Sequence, residues 1–315
     1  MKQFFRVLIC NLVVLFALFC CAEFSVSWYE INHNFINKSG DKITFSNRIK
    51  TYFNILGRYY FEQNLAGLGF EKEFRAPAFG KNADGESIII SGCSFAAGEA
   101  IEYKDTFGVV LAEDYDKYSV YNIGVSGGSA KQGLYIFKNY DLYAKKNMLP
   151  IDKNKVKYVI YTYISDQSIR LIADVYRLAP CFKIKKDKNG EEYLEFYKSK
   201  NVLRKTFLYH LFFRKIRDCG LFQKQKSELF TLYMKQMKKE VIKNCPNAEF
   251  VLFMWDADEN VDIETLKQYG INVVKLKDIS SEDFSKIKYK ASDEKHPNGI
   301  AWRIIVPLLM KELEK

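Results

Sequence analysis

The chain has 315 residues and a formal net charge of +10, with 27% of its residues charged and 16% aromatic. That balance excludes a disordered polymer and leaves room for one large domain or two small ones with a sizeable core. The lysines are dispersed in short clusters without a nucleic-acid motif, and three histidines argue against a His-rich metal site, so neither nucleic acid, nor a metal, nor a cofactor is expected.

Lys2 and Arg6 precede an apolar run from Val7 to Ala22, interrupted by Asn11. The run is short for a membrane-spanning helix, which needs roughly 20 apolar residues. It has the charge-then-apolar shape of an export signal. Residues 1–22 therefore read as a cleaved signal peptide ending at Ala22 or as an N-terminal membrane anchor. Either reading places the remainder outside the cytoplasm, in the periplasm or another extracytoplasmic space, with membrane association through residues 7–22 in the anchored case. Residues 23–80 follow as a helical and aromatic extension. Cys10, Cys20 and Cys21 lie in the leader, and Cys93, Cys181, Cys219 and Cys245 form no evident disulfide framework.

A rhythm begins near residue 81. Apolar runs of strand length stand at 87–91, 118–123, 156–164, 248–255 and 271–277. Helix-like segments lie between them at 106–115, 130–145, 222–243 and 261–268, and the chain closes with one at 299–313. Strands alternating with helices predict a parallel sheet covered on both faces. The expected architecture is a flavodoxin-like three-layer α/β/α sandwich of about five strands over residues 81–315. About eighty residues, 165–246, separate the third and fourth strands, too many for one crossover helix. Within this insert Asn189-Gly190 predicts a hairpin over 181–198. Residues 201–217 then read as a basic, aromatic helix containing His210. That helix is expected to dock its aromatic face on the domain, with a membrane surface or anionic polymer as the alternative.

Ligands of an open α/β sheet bind beyond the carboxyl ends of its strands. Past the first strand stands Gly92-Cys93-Ser94-Phe95, past the second Asn122 to Ser129, past the third Ser165-Asp166-Gln167, and past the fourth Asp256 and Asp258. Before the last helix stands Asp293-Glu-Lys-His296-Pro297-Asn298. A serine hydroxyl needs a neighbouring base to become a nucleophile. His296 can be that base, and Asp293 can hold its imidazole in the right tautomer. The backbone N–H groups of Ser94 and Gly127 are candidate oxyanion donors. Asn298 is placed to cap the last helix. Cys93 reads as a small buried hydrophobe, and Asp256 and Asp258 read as turn and capping residues.

Gly92-x-Ser94-Phe95-x-x-Gly98, then Asn122-x-Gly-Val-Ser-Gly127, then Asp293-x-x-His296-Pro297 resemble blocks I, II and V of the SGNH (GDSL-like) hydrolases, here of an exported or membrane-anchored bacterial type. The resemblance spans residues 87–313 with an insertion. It implies Ser94 as nucleophile, His296 as base, Asp293 as orienting acid and Gly127 as an oxyanion donor. The family's third block carries an Asn that completes the oxyanion hole, and Ser165 stands in its place. The amide of Gln167, two residues on, is expected to serve instead, with Ser165 as the alternative. The implied activity is a serine ester hydrolase that removes small O-acyl groups, such as acetyl, from envelope or extracellular carbohydrate. An O-acetyltransferase of envelope polysaccharide, a lipid esterase and a catalytically silent binding module are the alternatives.

Overall fold

The computed structural model describes residues 14–25, 28–29, 78–79, 85–146, 151–172, 181–197, 223–256 and 261–315. In chain order a two-residue strand β1 (Ala78–Phe79) precedes β2 (Glu86–Gly92), α1 (Ser94–Ala97), α2 (Phe107–Asp114) and β3 (Tyr118–Asn122). Then come α3 (Ala130–Lys138), α4 (Tyr140–Lys146), β4 (Val156–Tyr163) and α5 (Asp166–Ile172). The hairpin strands β5 (Cys181–Lys186) and β6 (Glu192–Tyr197) lead to the long α6 (Gln223–Asn244). The chain finishes with β7 (Glu249–Met254), α7 (Ile263–Gln268), β8 (Asn272–Lys275), α8 (Leu276–Ile279) and α9 (Gly299–Leu313).

The strands explain the layers. In β2, Ile88 and Ile90 pack into one core and Ile89 into the other, since successive side chains leave opposite faces of a strand. In β4, Tyr158 and Ile160 follow the first face, and Val159, Tyr161 and Tyr163 the second. In β7, Val251 and Phe253 oppose Phe250, Leu252 and Met254. Both faces are therefore apolar, which is why these segments read as continuous apolar runs. Phe107, Val110 and Leu111 of α2 and Trp302, Ile305 and Leu309 of α9 cover one face. Leu134 and Phe137 of α3 and Phe230, Met234 and Met237 of α6 cover the other. α3 and α6 approach so closely that a Cβ on Gly133 would lie 2.8 Å from the Met237 methyl.

The sheet order is β1-β3-β2-β4-β7-β8. The last five strands of that order are parallel, and β1 is an antiparallel edge on β3, with Ala78 opposite Val120. In chain order the parallel strands run 2-1-3-4-5, the doubly wound flavodoxin-like arrangement. All five predicted strands and the closing helix stand where the apolar runs place them. The sequence pattern does not predict β1, α1, α5 or α8, and the first turn of α8 takes the end of the run at 271–277.

The predicted hairpin is present. Asp187 Oδ1 accepts from the N–H groups of Asn189 (2.8 Å) and Glu191 (3.0 Å), and Gly190 takes the left-handed conformation, φ 82°. The hairpin rests on α6, where the Gln236 amide bonds both the N–H and the carbonyl of Leu194. The basic aromatic helix expected at 201–217 lies outside the described residues, as does most of 23–80. Residues 14–25 are helical and leave Val14, Leu15, Phe16 and Leu18 exposed. Among the described residues no helix is long and apolar enough to cross a membrane.

Candidate active site

Parallel strands send their carboxyl ends to one edge, so the segments after β2, β3, β4 and β7 converge there. β2 ends at Gly92 with φ 134°, and a Cβ at that position would stand 2.5 Å from the Thr162 carbonyl oxygen. Only glycine lets β2 pass that close to β4 in this conformation. The chain then turns into α1, with Cys93 at its N-cap and Ser94 as its first helical residue, 6% exposed. α1 closes at Gly98, φ 72°, and the Glu99 N–H bonds the Ser94 carbonyl at 3.0 Å. Burial pushes the Cys93 thiol pKa up, so Cys93 is a packed, protonated thiol and not a competing nucleophile.

The loop after β3 is fastened to α1. Asn122 accepts from the Gly124 N–H (3.0 Å) and donates through Nδ2 to the Ala96 carbonyl (2.6 Å). The Val125 N–H reaches back to the Gly92 carbonyl at 2.9 Å. Arg170 of α5 donates to the Gly128 carbonyl at 2.7 Å. Gly127, φ 70°, sits within this fastened loop. Neither its N–H nor that of Ser94 has a protein acceptor among the described residues.

The segment before α9 is a closed loop. The Ala291 N–H bonds the His296 carbonyl at 2.7 Å, and the Asn298 Nδ2 donates to the carbonyls of Lys288 and Lys290, each at 2.9 Å. Asn298 also accepts from the Ala301 N–H (3.1 Å), which is the helix cap read from the sequence. Inside the loop Asp293 Oδ1 accepts from the N–H groups of Lys295 and His296, both at 3.0 Å, and Oδ2 pairs with His296 Nδ1. Burial alone would raise the Asp293 carboxyl. The bonds from the His296 side chain and the two backbone N–H groups outweigh it and hold the pKa at about 2. An ionised carboxylate only accepts, so Nδ1 carries the ring proton and Nε2 is left for proton exchange.

Ring contacts join the two halves of the site. Phe95, next to Ser94, lies 5.4 Å from the His296 ring and 5.2 Å from Trp255, which meets Trp302 at 5.5 Å. The His296 side chain is 15% exposed. Glu99, 47% exposed, brings Oε2 to 4.0 Å from His296 Nε2 and accepts a hydrogen bond from the Ser126 hydroxyl. The sequence offers no spacing signal for Glu99 or Arg170, and Ser126 stands inside the Asn122-x-Gly-Val-Ser-Gly127 motif with no role assigned to it.

Two expected oxyanion donors are engaged elsewhere. Gln167 is fully buried; its Nε2 donates to the Thr162 carbonyl at 2.8 Å and its Oε1 accepts from the Tyr161 hydroxyl. Ser165 gives its one hydroxyl proton to Asp256 Oδ2 at 2.8 Å, and its N–H goes to Oδ1 at 2.7 Å. A hydroxyl has a single proton, so Ser165 cannot make that bond and also donate to an oxyanion. Asp256 thus serves the β4–α5 turn, and Asp258, His33 and His210 lie outside the described residues. Among the described residues no group of three His, Cys, Asp or Glu side chains is arranged to hold a metal ion.

No family model matches the chain, and no curated protein matches it in sequence. Similar solved structures include a lipolytic protein of the G-D-S-L family from Veillonella parvula, 11% identical, with 72% of this chain and 97% of that chain covered and a TM-score of 0.39. An acetyl xylan esterase from Butyrivibrio proteoclasticus is 10% identical over 72% of this chain and 63% of its own, with a TM-score of 0.42. A family two carbohydrate esterase from Clostridium thermocellum is 13% identical over 73% and 63%, also with a TM-score of 0.42. The last two matches span less than two thirds of those proteins' length. Likenesses this distant carry no argument about what the chain acts on.

Proposed function

We propose that this chain is a serine esterase of the SGNH type that works through an acyl-enzyme on Ser94. The observation that carries the reading is the Asp293–His296 pair, held in a closed loop whose imidazole abuts the residue after Ser94. In the first step His296 Nε2 takes the Ser94 hydroxyl proton as Oγ bonds the ester carbonyl carbon. The tetrahedral oxyanion is met by the N–H groups of Ser94 and Gly127. Nε2–H then protonates the leaving alcohol oxygen as the ester C–O bond breaks. Water repeats the sequence, losing a proton to Nε2 and releasing the acid and free Ser94. With the Ser165 proton given to Asp256 and Gln167 fully buried against Tyr161 and Thr162, no third side-chain donor is assigned, and turnover is expected about 100- to 1000-fold below that of a site with the extra donor.

The substrate class proposed is a small O-acyl ester, with acetyl on an envelope or extracellular carbohydrate as the first choice. The leader supports an extracytoplasmic location: Lys2 and Arg6 precede the apolar run from Val7 to Ala22. Alkaline phosphatase fused behind Glu30 is expected to be active in the producing cell, and an inactive, stably expressed fusion would remove that assignment.

The chemistry is tested by labelling the full-length chain with a fluorophosphonate probe. Label mapping to Ser94 in wild type, and lost in both Ser94→Ala and His296→Ala, is the expected result. Folded wild type that takes no label would sink the esterase reading.

A further inference from the structure

Glu99 stands at the reactive nitrogen yet has no part in the steps above. Its Oε2 lies 4.0 Å from His296 Nε2, and the Ser126 hydroxyl bonded to it fixes the carboxylate against the β3–α3 loop. The backbone is left-handed on both sides of it, at Gly98 (φ 72°) and at Ala100 (φ 64°). Alanine enters that region only at a cost, which makes the turn presenting Glu99 a strained one. An exposed pairing of this kind contributes little to stability, so the arrangement calls for another use.

The position of the leaving group supplies it. Nε2 protonates the departing alcohol oxygen, so that oxygen comes within hydrogen-bond reach, about 3 Å, of Nε2. A carboxylate oxygen 4.0 Å from the same nitrogen is therefore within reach of the leaving alcohol. A hydroxyl on the carbon adjacent to the one that bears the ester oxygen then falls where it can donate to Glu99, in a charge-assisted bond. A carboxylate or phosphate at that place meets a like charge.

We propose that Glu99 is the specificity-determining residue for the leaving group: it accepts a hydrogen bond from a hydroxyl vicinal to the ester oxygen, selecting neutral sugar or polyol esters over simple and anionic ones. The assignment rests on the acyl-enzyme reading of the same site.

The test compares kcat/KM of the full-length chain on 2-hydroxypropyl acetate, propyl acetate and O-acetyl-lactate. Wild type is expected to prefer the hydroxypropyl ester over propyl acetate by about 10- to 100-fold, the range of a hydrogen bond to a charged group. Glu99→Ala is expected to bring that ratio close to one. Glu99→Gln, whose amide oxygen still accepts, is expected to keep part of the ratio while the relative rate on O-acetyl-lactate rises. A merely structural Glu99 would lower all three rates together and leave the ratios alone, which would overturn the assignment. So would a wild type that hydrolyses the two neutral esters equally, although the esterase reading would then stand. Wild type that takes no fluorophosphonate label and hydrolyses none of the three would overturn both.

Discussion

Asp293 is pulled in two directions, and the hydrogen bonds win. Its carboxyl titrates at about 2 in the fold, against an ordinary value of 3.8. A carboxylate held below its unfolded value stabilises the fold fully above that value, and this contribution is lost as the pH falls through the folded one. Wild type is therefore expected to melt above Asp293→Asn at pH 5, with the gap in Tm closing between about pH 4 and pH 2. A gap that stays constant to pH 2 would show that the carboxylate is not held by these bonds. The same substitution leaves Nδ1 without its carboxylate, and kcat is expected to fall by about ten-thousand-fold, as when an imidazole is left in the wrong tautomer.

At the scale of the element, the strand-to-helix turn at β2–α1 decides where Ser94 stands. Gly92 combines φ 134° with a β4 carbonyl that would lie 2.5 Å from any Cβ. Gly92→Ala must displace either β2 or β4, and a cost of about 1–3 kcal/mol is expected from the backbone conformation alone. The loss is expected as a lowered urea midpoint together with slower fluorophosphonate labelling, since Ser94 is two residues on. An unchanged midpoint would mean that the turn yields freely. The neighbouring loop is tied by Asn122 to Ala96 and by Arg170 to Gly128, so α1, the β3–α3 loop and α5 hold one another in register.

Across the whole molecule, the site rests on the core layer beneath it. Trp302 is fully buried, stacks on Phe107 with centroids 4.6 Å apart, and meets Trp255, whose ring touches Phe95 beside Ser94. Removing so large a buried ring leaves a cavity that its neighbours fill only in part. Trp302→Ala is expected to cost about 3–5 kcal/mol of stability, with Trp302→Phe costing less, read from urea unfolding. Equal stabilities for the two variants would mean that the aromatic layer collapses around the gap.

Local pattern settled much of this protein. The five apolar runs became the five parallel strands, Asn189-Gly190 made its hairpin, and Asn298 capped α9. Each of these rests on periodicity or turn chemistry acting within a few residues, so a single sequence suffices to read it. Asp293 and His296 belong to the same class, since three residues of closed loop bring them together. Two-residue β1 is too short to show a period. The tertiary structure alone decided which polar side chains were already engaged. Ser165 is claimed by Asp256 91 residues away, and Glu99 is fixed by Ser126 27 residues on. A hydrogen bond saturates once made, and its partner is chosen by how the loops meet in space, which no spacing along the chain records.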